Sequence, residues 1–382
     1  MTGRILIDVT QLVRQPARSG IQRVVHELLR RWPGDVDARC VFSEVDDPTL
    51  HVVAIGDVAA ALDGGFTVPG ASPGVVSDRC RDAAEGTVNE AALAAGDQAV
   101  LLPEPSFLTD VVDRMRRLDH YGVPTMVLAY DALPVLTPWH YPRRDHLPVD
   151  AYFRWVAGHP HVACISATTK AQLARLRGGE DPSVTVCELG ADGLADAPAL
   201  STGFVVVGTI ERKKRIDVIL DAFARVNRTR AVPLTLIGAP GNAEDIVAAR
   251  LDDAPWLSWH ADASDRVVAG HLRGATALVF MAEGEGFGIP PLEAMHAGCP
   301  VIAGPGVPSL EARPAGTYAR VDADAGSLAA AVEAMCRPEV RAAFTRAIAD
   351  CPLPTWEGFA RDVAAWAVRG ARRDADPGGS AA

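Results

Sequence analysis

Short apolar runs alternate with longer amphipathic stretches along the chain, and this rhythm restarts near its middle. In the first half the runs predict strands at 4–9, 39–42, 51–55, 99–102, 125–129 and 161–165. In the second half they predict strands at 204–208, 234–238, 257–260, 277–281 and 301–303. Strands that alternate with helices are typical of a parallel α/β architecture. We therefore expect two Rossmann-like, doubly wound parallel-sheet domains that face a central cleft at the carboxyl ends of their strands.

A predicted hinge lies between the two halves. Residues 195–202 are mostly small, contain a proline and show little periodicity. On this division the first domain covers residues 1–195 and the second covers residues 203–355. The tail at 371–382 is polar and rich in Gly and Ala, so we expect it to be disordered.

The composition is that of a globular protein with a large core. The chain has 382 residues, of which 48% are hydrophobic and 22% are charged. Its net charge of -11 argues against a nucleic-acid surface, which would carry a basic stripe. No apolar run reaches eighteen residues, and the first strand follows Met1 too closely for a signal peptide. We expect a cytoplasmic location.

Cysteines and arginines add little to this picture. The seven cysteines are scattered without a Cys-x-x-Cys pair, which favours reduced core thiols over a disulfide framework or a zinc site. Arginines crowd two predicted helices, around residues 23–31 and 114–117. Such a pattern usually marks a solvated helix face, and docking at the inner surface of a membrane is the alternative.

The most informative segment surrounds a Gly-Phe-Gly loop in the second half. Glu285 and Glu293 stand eight positions apart, with the loop and two prolines between them. Proline favours the first positions of a helix, so we expect a helix from Pro290 that ends before Gly298 and carries Glu293 in its first turn. Two carboxylates beside a flexible loop fit a polyhydroxylated ligand. An ordinary turn, in which Gly permits the bend and Glu complements the helix dipole, is the alternative.

Four consecutive cations, residues 212–215, follow the first strand of the second half. They precede a helix whose apolar face carries Ile216, Ile219, Leu220 and Phe223. Like charges at a strand-to-helix turn repel each other, and a bound diphosphate would neutralise them. A solvated loop is the alternative. In the first half, Ser19 is placed to cap a helix that begins at Gly20 or Ile21, where the glycine would let a phosphate or sugar approach the backbone.

These motifs together resemble the retaining, nucleotide-sugar-dependent glycosyltransferases of family four, which have the two-domain GT-B fold. Residues 285–295 are similar to the E-x7-E signature of that family, and residues 207–214 to its donor-diphosphate loop. Residues 19–21 are similar to its N-terminal glycine loop, and residues 130–134 to its cleft motif. A helix predicted at 356–370 resembles the terminal segment that crosses back to the first domain. The resemblance covers nearly the whole chain.

The resemblance implies a role for each matched residue. Lys214, with Lys213 or Arg212 beside it, would bind the donor diphosphate and stabilise charge on the leaving group. Glu293 would hold the ribose hydroxyls, and Glu285 would contact the transferred sugar near its reacting carbon. The remaining donor contacts would come from Gly286, Phe287 and Gly288 at the sugar, Gly20 and Ile21 at the β-phosphate, and Asp262 and Ala263 at the base.

One departure from the family pattern concerns catalysis. Tyr130 stands where the family usually has a histidine, and tyrosine is a poor base at neutral pH. Asp131 would then carry more of the acceptor contact. The predicted catalytic residues are therefore Glu285, Lys214 and Asp131.

The resemblance also implies how the reaction proceeds. Fixed cations and dipoles can meet the charge on the leaving diphosphate, so we expect retaining transfer of a hexose-type sugar with no metal or other cofactor. The expected partners are a nucleoside-diphosphate sugar and an acceptor, which could be a sugar, a lipid-linked glycan or a small metabolite. Two alternatives remain: a nucleotide-sugar epimerase or hydrolase on the same fold, and a catalytically silent nucleotide-sugar-binding protein.

Overall fold

The computed structural model describes residues 3–17, 19–66, 73–140, 146–200 and 203–373. These residues form two compact units. The first contains the chain up to Leu189 and again from Trp356 onward, and the second runs from Gly190 to Thr355. Each unit is built around its own sheet.

The sheet of the first unit is mostly parallel. Its described strands are β1 (Arg4–Asp8), β2 (Ala38–Ser43), β3 (Leu50–Val53), β4 (Gly86–Val88), β5 (Gln98–Leu102), β6 (Thr125–Ala129), β7 (Val162–Cys164) and β8 (Thr185–Val186). They lie in the order β4-β3-β2-β1-β5-β6-β7-β8. The central strand β1 places Ile7 opposite Cys40 on one side and Leu101 on the other.

One edge of this sheet departs from the predicted parallel arrangement. β3 pairs antiparallel with both of its neighbours, with His51 opposite Phe42 on β2 and Thr87 on β4. Residues 44–49 join β2 to β3, and so short a connection cannot make the crossover that a parallel pair needs. The first sheet is therefore mixed, because its chain turns back at this edge.

The sheet of the second unit is parallel throughout its described strands. These are β9 (Phe204–Val207), β10 (Leu234–Ile237), β11 (Leu257–His260), β12 (Ala277–Phe280), β13 (Val301–Ala303) and β14 (Ala319–Arg320). They lie in the order β11-β10-β9-β12-β13-β14. All the strands predicted from apolar runs are found within two residues of their predicted bounds. β4, β8 and β14 escape the prediction because each is a very short edge strand.

Helices connect the strands in both units. Those of the first unit up to Leu189 are α1 (Thr10–Arg14), α2 (Gly20–Arg30), α3 (Ile55–Phe66), α4 (Pro73–Asp82), α5 (Glu90–Ala94), α6 (Thr109–His120), α7 (Leu133–Leu136), α8 (His146–Gly158) and α9 (Ala167–Arg177). Those of the second unit are α10 (Ile216–Val226), α11 (Glu244–Leu251), α12 (Asp265–Gly274), α13 (Ile289–His296), α14 (Pro308–Glu311), α15 (Ala325–Met335) and α16 (Pro338–Ala349). Short 3-10 turns add Pro138–His140 and Arg212–Lys214.

The predicted apolar face of α10 packs into the core of the second unit. Ile216, Ile219, Leu220 and Phe223 are all fully buried there. Phe223 meets Phe204 of β9 edge to face, with ring centroids 5.4 Å apart. Burial of this face fixes α10 on the sheet, and so fixes the turn that precedes it.

The predicted hinge at 195–202 begins inside the second unit. The guanidinium of Arg273 on α12 donates to the carbonyl oxygens of Ala195, at 2.7 Å, and Ala197, at 3.1 Å. The backbone N–H of Leu200 donates to the carbonyl of Gly270 at 2.9 Å. These contacts anchor residues 195–200 to α12, whereas residues 201–202 lie outside the described part of the chain.

The final helix, α17 (Trp356–Arg373), contacts α2, β1, β5 and β6 of the first unit. It buries Trp356 completely and Phe359 almost completely. The helix extends three residues into the predicted tail, and residues 374–382 of that tail lie outside the described chain. Among the helices described, none combines the length and apolarity needed to cross a bilayer.

Candidate functional site

Two neighbouring strands of the second sheet carry the predicted donor loops. β9 and β12 are parallel and adjacent, with Phe204 opposite Ala277. Because the carboxyl ends of parallel strands meet at one edge, the loops that follow them lie side by side. The backbone N–H of Glu283 joins them by donating to the carbonyl of Lys213 at 2.8 Å.

Most cations of the turn after β9 already have carboxylate partners. Arg212 pairs with Asp245 on α11 at 2.7 Å, and Arg215 pairs with Glu283 at 3.0 Å. The ammonium of Lys213 lies 3.4 Å from a carboxylate oxygen of Glu211. Arg212 and Arg215 are therefore balanced in part by carboxylates on other elements, in addition to any bound diphosphate.

Lys214 differs from its neighbours. Within the described residues, no carboxylate lies within ion-pair distance of its ammonium. Its Nζ packs over Gly208, where a Cβ would stand only 2.4 Å away. Desolvation lowers the pKa of Lys214, and the nearby charges of Glu285 and Glu211 raise it in part. A desolvated cation without an ion-pair partner is suited to an incoming anion.

The loop after β12 leads from the sheet into α13. Glu285 is partly exposed, whereas Gly286, Phe287 and Gly288 are buried. Gly288 has a φ of 91°, a conformation that favours glycine, and directly precedes the helix. Ser309 of α14 lies beneath this loop and bonds to it, a contact that the sequence analysis did not predict.

Glu293 lies on α13 and is only 2% exposed. The helix begins at Ile289, one residue before the prolines, so Glu293 is just past the first turn rather than in it. Gly298 follows the helix end with a φ of 72°, where the sequence predicted a glycine stop. The E-x7-E spacing thus corresponds to one carboxylate in a loop and one buried on a helix.

Asp262 and Ala263 are placed apart from these loops in the sheet. They follow β11, which lies two strands from β9. Asp262 is exposed and Ala263 partly exposed, and Ser264 caps the helix α12 that comes next.

In the first unit, the glycine loop opens α2 as predicted. The Ser19 hydroxyl accepts a hydrogen bond from the backbone N–H of Gln22 at 3.2 Å, which caps the helix. Gly20 and Ile21 are its first residues, and apart from its own helix and chain neighbours no residue in the described ranges places an atom within 4 Å of a Cβ on Gly20. The backbone at this helix start is therefore open to approach.

Tyr130 and Asp131 follow β6 in the same unit. Tyr130 is buried and donates its hydroxyl to the carbonyl of Pro103 at 2.8 Å. Burial raises the pKa of Tyr130 well above its usual value, and the Glu104 charge adds to this. Asp131 is partly exposed and accepts from the backbone N–H of Leu133 at 3.1 Å. Tyr130 is therefore a packing residue here, and Asp131 is the more accessible acid.

Glu104 is a buried acid that the sequence analysis missed. It is 2% exposed, and burial raises its pKa to about 8 although bonds from Gln22 and Leu12 oppose the shift. Within the described residues its Oε1 has no hydrogen-bond partner. A glutamate between two prolines directly after an apolar strand was the available signal.

No three His, Cys, Asp or Glu side chains gather as metal ligands in the described ranges.

Residues 201–337 match the family described as glycosyl transferases group 1. Among curated proteins, the chain is 27% identical over 337 residues to the serotype-specific mannosyltransferase WbdA of Escherichia coli. The alignment covers 79% of this chain and 37% of that relative, so the chain spans little more than a third of the relative's length.

Solved structures share the fold. Anabaena HepE in complex with UDP-glucose is 14% identical, with a TM-score of 0.59 and 98% of each chain covered. The N-terminal domain of trehalose-6-phosphate phosphatase from Candida albicans is 12% identical, with a TM-score of 0.59 and 97% of each chain covered. These likenesses confirm the predicted GT-B fold class.

Proposed function

We propose, from the match of residues 201–337 to the group 1 glycosyltransferases and from the mannosyltransferase relative, that this chain transfers a hexose-type sugar from a nucleoside-diphosphate sugar to an acceptor, with retention of configuration and without a metal ion. The observation that carries the proposal is Lys214. Its neighbours in the turn are paired with carboxylates, whereas its desolvated ammonium is held beside Glu285 with no ion pair of its own among the described residues.

Lys214 would act on the leaving group. As the bond from the anomeric carbon to the β-phosphate breaks, negative charge grows on the diphosphate. A fixed, desolvated cation stabilises that charge more than it stabilises the intact donor, and this difference lowers the barrier. The acceptor oxygen bonds to the anomeric carbon on the same face, and its proton passes to the departing phosphate.

Other residues would hold the two ends of the donor. Glu285 is assigned to the transferred sugar and Glu293 to the ribose hydroxyls, since carboxylates accept hydrogen bonds from hydroxyls. Lys213 is assigned to the diphosphate with Lys214, and Asp262 and Ala263 to the base. Arg212 is assigned a weaker part, because Asp245 holds its guanidinium.

The first unit would supply the remaining contacts. Gly20 and Ile21 offer backbone N–H groups at a helix start, which suits the β-phosphate. Asp131 is assigned to the acceptor. The relative's name and the HepE complex make GDP-mannose and UDP-glucose the first donors to test. A lipid-linked glycan acceptor, with peripheral contact at the inner face of a membrane, is the acceptor class to try first.

A thermal-shift panel with UDP, GDP, UDP-glucose and GDP-mannose tests the proposal. The wild type should be stabilised by one nucleotide and its sugar, because a ligand that binds the folded state raises the melting temperature. Lys214→Ala should abolish the shift. Glu285→Ala should keep the nucleotide shift and lose sugar transfer, measured as nucleoside diphosphate released with an acceptor panel.

Arg250→Ala is the matched control, since it removes a cation of the same unit that pairs with Asp221 on the surface. Full transfer by both Lys214→Ala and Glu285→Ala would contradict the assignment. Turnover with water alone would favour a hydrolase, and binding without turnover over the whole panel would favour a silent binding protein. A sugar covalently trapped on Glu285 would overturn the front-face mechanism.

A further inference from the structure

Ser309 binds two consecutive carbonyl groups of the loop before α13. Its backbone N–H donates to the carbonyl of Phe287 at 2.9 Å, and its hydroxyl donates to the carbonyl of Gly288 at 2.7 Å. Ser309 lies on α14, which follows β13, the strand next to β12. One residue therefore fixes two successive peptide groups of the loop.

Because peptide groups are planar and trans, the contacts of Ser309 also fix the direction of the N–H groups in the same two peptides. The N–H of each peptide points opposite to its C=O. Because the carbonyls of Phe287 and Gly288 point at Ser309, the N–H groups of Gly288 and Ile289 point away from it. Neither N–H donates to a protein acceptor within the described residues. Both are oriented donors that remain available to a ligand.

The start of α13 has few backbone N–H donors besides these two. A helix normally leaves four N–H groups without partners in its first turn. Here Pro290 and Pro291 have no N–H to offer. The N–H groups of Gly288 and Ile289 therefore supply most of what this end of α13 can donate.

Packing around Gly288 leaves little freedom for another arrangement. A Cβ on Gly288 would lie 3.0 Å from Cγ1 of Val307 and 3.3 Å from Oγ of Ser309. Ser309 is completely buried, so its hydroxyl supports the loop from below and does not itself touch a ligand. A side chain in this position acts through the backbone that it holds.

We propose that Ser309 is a positioning residue for the transferred sugar: it orients the N–H groups of Gly288 and Ile289 so that they bind hydroxyls of the donor's sugar ring. The proposal rests on the proposed function. It predicts an effect of Ser309 on binding of the sugar and not on binding of the nucleotide, because the diphosphate is assigned to Lys213 and Lys214 on the neighbouring loop.

The test compares the affinity of a nucleoside diphosphate with that of its sugar conjugate by isothermal titration. GDP with GDP-mannose and UDP with UDP-glucose are the probes. Ser309→Ala should leave the Kd of the diphosphate within about twofold of the wild type. The Kd of the nucleotide sugar should rise by about three- to tenfold, as expected for loss of hydrogen-bond alignment. A merely structural role would not change the ratio of the two.

Thr317→Val is the matched control. The Thr317 hydroxyl is also buried and donates to a backbone carbonyl, that of Pro314, at 2.8 Å, but it lies outside the loop before α13. This variant should lower the melting temperature by a similar amount and leave the affinity ratio unchanged. Ser309→Thr, which keeps the hydroxyl, should restore the ratio. If Ser309→Ala does not fold, Ser309→Cys keeps the volume with a weaker donor and gives the same comparison.

The outcomes are distinct. An unchanged ratio in Ser309→Ala, or an equal loss of both affinities, overturns the positioning role while the proposed function stands. Absence of binding by the wild type to every nucleotide and nucleotide sugar overturns both. A selective loss for the sugar conjugate, with recovery in Ser309→Thr, supports the positioning role.

Discussion

The carboxyl edges of the two sheets differ in whether a desolvated cation has an ion-pair partner in the protein. In the first unit, Arg114 is 3% exposed and donates to Asp8 at 2.7 Å and to the hydroxyls of Thr10 and Ser43. In the second unit, Lys214 at the equivalent edge has no ion pair among the described residues, and the N–H groups of Gly288 and Ile289 have no protein acceptor there. The first edge pairs its buried guanidinium with a carboxylate, whereas the second leaves Lys214 and these two N–H groups without protein partners among the described residues.

This difference separates a structural use of buried polarity from a ligand-binding one. A buried charge is tolerated when it is paired and hydrogen-bonded, as Arg114 is. Desolvated donors without protein partners cost free energy in the empty state, and a ligand of opposite charge or with hydroxyl groups offsets that cost. In the proposed function, Lys214 and the two N–H groups of the second unit bind the donor, whereas the ion pair at the centre of the first unit holds β1, β2 and α6 together.

Asp8→Ala should cause the largest effect predicted from this comparison. It removes the carboxylate that accepts from Arg114 and leaves a buried guanidinium without its counter-charge. We expect a loss of about 3–5 kcal/mol in the free energy of unfolding. Urea denaturation followed by circular dichroism measures it.

Asp221→Ala is the control for this prediction, because it breaks the exposed pair with Arg250 and should cost less than about 1 kcal/mol. Asp8→Ala combined with Arg114→Met should recover part of the loss. Equal, small losses of unfolding free energy in Asp8→Ala and Asp221→Ala would contradict the stabilising role of the buried Asp8–Arg114 pair.

Glu104 gives the first unit a pH-dependent stability. Its pKa is raised from 4.5 to about 8 by burial, so the folded state keeps a proton that the unfolded chain has lost between these values. Its contribution is fully present below pH 4.5 and is lost as pH rises from there through about 8, by about 5 kcal/mol. Glu104→Gln should therefore be more stable than the wild type at pH 9 and similar to it at pH 4.5.

Unfolding free energies at pH 4.5, 7 and 9 test this. The same substitution at exposed Glu339 should leave the wild-type pH dependence unchanged. If the unfolding free energy of Glu104→Gln has the same pH dependence as that of the wild type, Glu104 does not keep its proton in the folded state.

The strands were predictable because an apolar run is a local signal. Residues 125–129, 257–260 and 301–303 have the predicted bounds, since the neighbours of each run end it by their own polarity or turn preference. The strand β3 was predicted, but its antiparallel direction was not, because the six-residue connection at 44–49 was not used to set that direction.

The site was only partly predictable because partners come from distant elements. The four adjacent cations cannot be told apart in the sequence. In the folded protein Arg212 pairs with Asp245 of α11, and Arg215 pairs with Glu283 of the loop after β12. Lys214 is therefore distinguished from its neighbours only by the tertiary structure. Ser309 gave no local signal at all, because its role is set by which strand lies next to β12.

Gly208→Ala sharpens the comparison at the second edge without touching the charge of Lys214. Gly208 has a φ of 125°, and a Cβ there would lie 2.4 Å from the ammonium of Lys214. The methyl group must therefore displace the ammonium, and we expect the Kd of the bound nucleoside diphosphate to rise by about tenfold, equivalent to about 1.4 kcal/mol. Gly316→Ala separates this from backbone strain, because Gly316 also has a positive φ, 89°, and no atom of the described residues beyond its chain neighbours lies within 4 Å of a Cβ there. Both variants should lose stability by about 1 kcal/mol, and only Gly208→Ala should lose affinity in calorimetric titration. Equal affinities in the two variants would mean that the position of the ammonium over Gly208 does not matter for binding, and Lys214 would then lose its place as the cation that meets the diphosphate.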